Sequence, residues 1–362
     1  MMYQYWFLRL QGLGNAKKHQ MIEAFHTAKE IYHASSESLR DYGLLEEPLI
    51  QKIQQQKETW DLQGEYRKFC IAGQGLVTLE QKEYPKLLTR VYDAPYGLYF
   101  QGKLPGEGDR LVAIVGARNC SAYGKIMAEE LAGELAGRGY WIVSGMARGI
   151  DAYAHAGCLK EGGNTVAVLG SGVDVCYPKS NQALYQNILN QGCVISEYPP
   201  GTQPLARQFP ARNRIISGLA QQVIVVEARE KSGSLITIDY ALEQGKDVYA
   251  VPGRVTDPLS KGCNNLIAQG AGILSSVEQF LSNIEEIEFS GIGGDGVCKE
   301  QYFVLEKEEL LVYSCFDFYP KNIEQVLAES GMDLLPLLSV IMDLCDKGYL
   351  REIYKNEYIK CK

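Results

Sequence analysis

Six short apolar runs constrain the fold of this 362-residue sequence more than any other feature. They are Leu111-Val-Ala-Ile-Val115, Tyr140-Trp-Ile-Val143, Thr165-Val-Ala-Val-Leu169, Cys193-Val-Ile-Ser196, Val223-Ile-Val-Val226 and Asp247-Val-Tyr-Ala-Val251. Each has the length of a strand and lacks the polar alternation of a half-exposed one, so each strand has two faces to bury. Helical segments around 121–138, 150–161, 180–190 and 235–244 separate most of the runs. Such a pattern predicts an α/β fold with a doubly wound, mostly parallel sheet covered on both sides.

This Rossmann-like sheet is assigned to residues 65–288, in which 65–110 reads as a connector rich in turn residues. Residues 1–64 read as a helical domain. Trp6-Phe-Leu-Arg-Leu10 leads into a Gly12-Leu-Gly14 turn, and Met21, Ile22, Phe25 and Ile31 then recur at helical spacing. A Gly-apolar-Gly turn followed by Lys17 and Lys18 resembles SAM-like and helix-hairpin-helix modules, some of which bring the turn's N–H groups to a phosphate while others bind only protein. The Gly-rich stretch 289–301 reads as a linker. Residues 302–362 read as three helices and a hairpin around Lys355-Asn356, a winged-helix pattern.

No apolar run approaches the ~20 residues of a membrane span, and the N-terminus lacks the charged-then-apolar order of a signal peptide, so a cytoplasmic protein with no membrane partner is expected. The ten cysteines include no CxxC pair and read as reduced thiols, and His19, His26 and His33 are spaced too widely to chelate one ion. No metal site is expected.

The net charge of −8 conceals a local exception. Tyr198 to Val226 contains no carboxylate but carries Arg207, Arg212 and Arg214, with one aromatic, Phe209, placed to stack on a base. The competing reading is a surface loop whose arginines pair with acids elsewhere.

Ligands of doubly wound sheets bind beyond the carboxyl ends of the strands. A dinucleotide is excluded there, because Arg118 replaces the second glycine of the fingerprint and no acid follows the second strand; a Walker A loop fails as well, since Gly124-Lys125 is followed by Ile126. No cofactor is expected. Arg118, Arg148, Lys179, Arg207, Arg212, Lys231 and Lys261 come instead from separate crest loops, which suggests a long polyanion, although some of these cations have Asp151, Asp174, Glu197 or Glu227 as possible partners.

Seven motifs, in order, then resemble one family. They are Val115-Gly-Ala-Arg118; Ser144-Gly-Met-Ala-Arg-Gly-Ile-Asp-Ala-Tyr-Ala-His155; Gly170-Ser-Gly-Val-Asp174 with Tyr177-Pro-Lys-Ser-Asn181; Ser196-Glu-Tyr-Pro199; Phe209-Pro-Ala-Arg-Asn-Arg-Ile-Ile-Ser-Gly218; Lys231-Ser-Gly-Ser234; and Pro252-Gly253 with Ser260-Lys-Gly-Cys-Asn-Asn265. Over about 70 to 280 the chain is similar to the DNA-processing protein A (DprA/Smf) family. The resemblance implies a non-enzymatic, homodimeric protein that binds single-stranded DNA, protects incoming strands and helps load a RecA-type recombinase during natural transformation. Carried over by residue, the implied DNA contacts are Arg118, Lys179, the segment from Phe209 through Arg212 and Asn213 to Arg214, and Lys231, Ser232, Gly233 and Ser234. Ala117 stands where the family often has a hydroxyl. The alternative from another class is a nucleotide-cleaving hydrolase of the lysine-decarboxylase-like type, but Ile236, Thr237 and Ile238 occupy the positions where its catalytic glutamate is expected.

Overall fold

The computed structural model describes residues 1–10, 12–282, 307–317 and 320–360. All six expected strands are present, as β3 (Arg110–Val115), β4 (Tyr140–Ser144), β5 (Thr165–Val168), β6 (Cys193–Ser196), β7 (Gln222–Val225) and β8 (Asp247–Ala250). They pair in parallel, and two strands the sequence reads as connector, β1 (Gln74–Thr78) and β2 (Gly97–Gly102), add an antiparallel flank. A short parallel strand, β9 (Gly272–Ile273), closes the far edge, giving the order β1-β2-β6-β5-β4-β3-β7-β8-β9.

The chain winds outward from β3 through β4 and β5 to β6, then returns to lay β7 on the other side of β3. The crevice above β3 and β7 is therefore the topological switch point, where an open α/β sheet presents its ligand site. Both sheet faces are buried. Ala113, Val143, Val168 and Val225 join a core with Ile215, Ile216 and Leu219, whereas Ala167 and Val194 turn to a second core with Tyr185 and Ile188.

That second core includes the N-terminal helices: Trp6, Phe7, Met21, Ile31 and Ile53 cluster with Tyr99 and Leu169. Residues Met1–Asn119 and Ala128–Ser275 accordingly form one compact unit. A part-buried polar knot around the buried Arg214 reinforces the join. Both carboxylate oxygens of Glu197, after β6, accept from Arg214 Nη2, at 2.8 and 2.9 Å, Oε1 also accepts from Asn15 Nδ2 at 2.6 Å, and Arg214 Nε donates to Asp93 Oδ2 at 3.3 Å. Lys18 is buried near the same carboxylate; burial lowers its pKa, and Glu197 opposes that shift.

The second compact unit comprises Cys120–Met127 and Ser276–Lys362. Its described C-terminal part contains helices Lys307–Cys315, Ile323–Ser330 and Leu334–Asp346 and a three-stranded sheet ending in the Leu350–Tyr354 and Glu357–Lys360 pair. Val312, Val326, Leu337, Ile341 and Leu344 form its core. The linker expected at 289–301 lies outside the described residues. Among the described residues no single helix is long and apolar enough to cross a membrane.

Arg214→Leu leaves Glu197 without its buried counter-charge, so unfolding stability falls by about 3 kcal/mol, the scale for breaking a buried pair. Urea denaturation reads this loss, and a change within about 0.5 kcal/mol, ordinary for surface positions, contradicts the role assigned to the knot.

Candidate nucleic-acid interface

Between β6 and β7, where one of the two readings of the sequence is a surface loop, residues Gln208–Leu219 form a helix, α10. Gln208, Arg212, Ile215 and Leu219 are buried at helical spacing, so one face of α10 packs inward. Two polar members obscure this stripe in the sequence.

The helix turns two of the three arginines away from solvent. Arg212 is 5% exposed, and its Nη1 donates to the carbonyl oxygens of Gly145 (2.7 Å) and Val168, which end β4 and β5. Its guanidinium fills the space where a Gly145 side chain would stand, a Cβ there lying 2.5 Å from Nη1. Burial brings its pKa down to about 10, opposed by Asp151, so Arg212 stays cationic at neutral pH. Burial raises the Asp151 pKa, against the pull of Arg212 and of backbone donors at Ala147 and Gly145. Arg214 belongs to the knot with Glu197 and Asp93.

The remaining cations face outward. Arg118, Arg148, Lys179, Arg207, Lys231 and Lys261 are all exposed, and none forms an ion pair among the described residues. Arg118, beside the switch point, places its guanidinium carbon 5.8 Å from the Phe209 ring centre. The other neighbour of Phe209 is Tyr177, with ring centres 5.4 Å apart and planes 31° from parallel. Gly170 makes room for this group, since a Cβ there would lie 2.9 Å from Phe209 Cδ1. Arg118, Phe209 and Tyr177 thus form one cation–aromatic surface, with Phe209 half-buried and its two partners exposed.

The neighbouring loops are tied together by backbone contacts. Ala117 N–H donates to Glu227 O at 2.7 Å, linking the β3 and β7 loops, and Ile150 N–H donates to Ala117 O at 3.2 Å. Gly149 has φ +75°, and a Cβ there would sit 2.6 Å from the Arg118 carbonyl oxygen. Asn181 Nδ2 donates to Met146 O at 3.0 Å, fixing the β4 loop from the β5 side. Asn213 Oδ1 accepts from Arg212 Nε at 3.2 Å, and its Nδ2 reaches Gly233 O at 3.5 Å. In that loop Ser232 and Ser234 are joined through their hydroxyls at 2.7 Å. Helices α10, α11 (Leu235–Glu243) and α12 (Lys261–Ala268) all begin without a side-chain cap bond, and backbone bonds hold their first turns instead: Gln208 N–H to Leu205 O at 2.9 Å, Leu235 N–H to Ser232 O at 3.1 Å and Gly262 N–H to Ala228 O at 2.8 Å.

Sequence reasoning missed Tyr177 and the positioning role of Asn181; an aromatic inside a loop that also supplies Lys179 is the signal for the former. It also missed Arg229, an additional exposed cation in the β7 loop. On α11 the residues at the hydrolase glutamate positions are Ile236 and the buried pair Thr237 and Ile238, while Asp239 is exposed. Among the described residues no group of three His, Cys, Asp or Glu side chains is arranged to hold a metal.

A doubly wound, mostly parallel sheet with a cationic, aromatic crest and a glycine-dependent loop set defines a Rossmann-type protein. The chain belongs to the DNA recombination-mediator protein A family, whose model matches residues 75–285. It is 48% identical over 202 residues to DNA processing protein DprA of Streptococcus pneumoniae, covering 56% of this chain and 71% of that one. The crystal structure of that DprA aligns with a TM-score of 0.69 at 37% identity, covering 78% of this chain and 97% of the other. A Helicobacter pylori DNA processing protein A structure, solved to explain that protein's single-stranded DNA binding mode, aligns at TM-score 0.53 and 32% identity over 59% of this chain and 96% of the other.

Gly149→Ala forces a side chain into a glycine-only conformation and against the Arg118 carbonyl, so stability drops by about 2 kcal/mol or more. Chemical denaturation measures it; a variant as stable as the parent contradicts the close approach of the two loops.

Proposed function

We propose that this chain binds single-stranded DNA along the crest of its parallel sheet, without catalysing a reaction on it. The carrying observation is the Arg118–Phe209–Tyr177 surface at the switch point, flanked by the exposed cations Arg148, Lys179, Arg207, Lys231 and Lys261. Cations that track a backbone, combined with an aromatic face open to a base, match the physics of sequence-tolerant single-strand binding. The single-stranded DNA binding of the H. pylori relative supports the reading.

In this proposal Arg118, Arg148, Lys179, Arg207, Lys231 and Lys261 meet phosphates, Phe209 stacks on a base, and Asn213 with Ser232, Gly233 and Ser234 supplies hydrogen bonds. Arg212 and Arg214 act from below as the buried frame. The bound strand is protected and passed to a RecA-type recombinase in transformation or recombination, with the protein working as a cytoplasmic homodimer. Its parts are a SAM-like helical domain over 1–64, the Rossmann-like domain over 65–288 and a winged helix over 302–362. That last part contacts protein, because helix Leu334–Asp346 carries Asp343 and Asp346 and no cation where a groove-reading helix needs several.

A titration of oligonucleotides at several salt concentrations tests the reading. Single strands bind more tightly than duplex of equal length, and Arg118→Ala flattens the salt dependence by about 0.7 in the log–log slope, one phosphate's share for a single strand. Equal affinity for duplex, or an unchanged slope, contradicts it. Phe209→Ala costs about 1–3 kcal/mol of binding at constant fold stability. Loss of stability with affinity retained assigns Phe209 to packing instead.

A further inference from the structure

We propose a second base-stacking subsite, built on Trp60 and Arg9 of the N-terminal helices, that takes a nucleobase from the strand bound at the crest. The proposal rests on the single-strand reading above and extends it to a part of the chain with no assigned ligand. Its basis is a 440 Å³ open pocket whose walls are Arg9, Trp60, Tyr198, Pro199 and Pro200. A volume of this size suits a small planar ligand.

The pocket is pre-organised. Trp60 ends helix Glu47–Thr59, where its N–H bonds to Gln56 O at 3.0 Å, and Tyr5 backs the indole in a stacked contact at 5.8 Å and 22°. Tyr5 is itself buried, so the indole has a firm support. The Arg9 guanidinium lies over both rings, 5.4 Å from the centre of Tyr5 and 5.5 Å from that of Trp60, and its Nη1 donates to the Tyr5 hydroxyl at 2.9 Å. A guanidinium has five N–H donors, and the rest of this one's have no hydrogen-bond partner among the described residues. A fixed aromatic ring with a partly unbonded guanidinium 5.5 Å from its centre can offer a base both a stacking partner and donors for its carbonyl or ring-nitrogen edge. It is a poor phosphate site, because the exposed Glu58 and Asp61 flank Trp60 in sequence.

The opposite wall connects the pocket to the crest. Tyr198 and the prolines follow β6, and this loop is pinned to the β5 loop by Gly201 N–H to Asp174 Oδ1 at 2.8 Å and Gly172 N–H to Thr202 O at 2.9 Å. Burial raises the Tyr198 phenol pKa while Arg214, Arg207 and Arg212 draw it down, so the ring lies within the field of the α10 arginines. The sheet order puts β6 three strands from β3, roughly 14 Å at ordinary strand spacing. A strand crossing the crest from Arg118 toward β6 arrives at Tyr198 and then Trp60.

The experiment uses the full chain and oligothymidines of about 6 and about 20 nucleotides, bracketing the usual site sizes. Of the three tryptophans, Trp6 and Trp141 are 0% and 3% exposed, so a change in quencher-accessible fluorescence reports Trp60. The long oligonucleotide is expected to shield Trp60 from acrylamide and the short one to leave it accessible. Trp60→Leu should weaken the long oligonucleotide roughly tenfold and the short one not at all, with Trp60→Phe restoring most of the loss. Should Trp60→Leu fail to fold, shielding in the unaltered chain decides. An accessible Trp60 with saturating long oligonucleotide overturns the subsite. If Arg118→Ala weakens binding while Trp60→Leu does not, only the subsite falls; if the unaltered chain binds neither oligonucleotide, the single-strand reading falls with it.

Discussion

The crest is organised from beneath by one buried cation. Arg212 bonds the carbonyl ends of β4 and β5 and lies in the field of Asp151, which opens the helix after β4. An unpaired guanidinium in that position would be prohibitive, so the site exists only because carbonyl dipoles and a carboxylate meet it there. A Cβ at Gly145 would lie 2.5 Å from Arg212 Nη1, so the glycine leaves the group its space. The arrangement holds two adjacent loops at fixed height and leaves a positive charge just below the surface, where salt screens it less than it screens the exposed cations above.

The same economy of space governs the surface. Gly149 lets the β4 loop press on the β3 loop, Gly170 lets Phe209 lie down, and Asn181 holds the β4 loop from the other side. Gly149 and Asn181 act on backbone carbonyl oxygens, and Gly170 admits the packed ring of Phe209. The exposed arginines and lysines therefore stand on a rigid base, and binding an extended anion requires ordering little beyond their own side chains. The knot of Glu197, Arg214, Asp93 and Asn15 extends this rigidity toward the N-terminal helices, which share a hydrophobic core with the sheet.

Much of the fold was legible because parallel strands buried on both faces leave continuous apolar runs such as Leu111–Val115. The antiparallel pair β1 and β2 was not, since Gln74-Gly-Leu-Val-Thr78 and Gly97-Leu-Tyr-Phe-Gln-Gly102 are short and include glycines that read as turns. Helix α10 was hidden for a different reason. Its inward stripe includes Gln208 and Arg212, and a sequence pattern gives no hint that a buried arginine has carbonyls waiting for it. Charge and loop position singled out Arg118, Arg148, Lys179, Arg207, Arg212, Lys231 and Lys261, and the structure places all of them but the buried Arg212 in the open. The same criteria cannot separate them from Arg214, whose partner Asp93 is 121 residues away in the chain.

Hydrogen–deuterium exchange of the full chain, with and without a saturating oligothymidine, tests the central claim most directly. Slowed exchange is expected in the loops following β3, β4, β5, β6 and β7, centred on residues 116–121, 145–149 and 198–209. Protection confined to residues 307–360, with those loops unchanged, would contradict it.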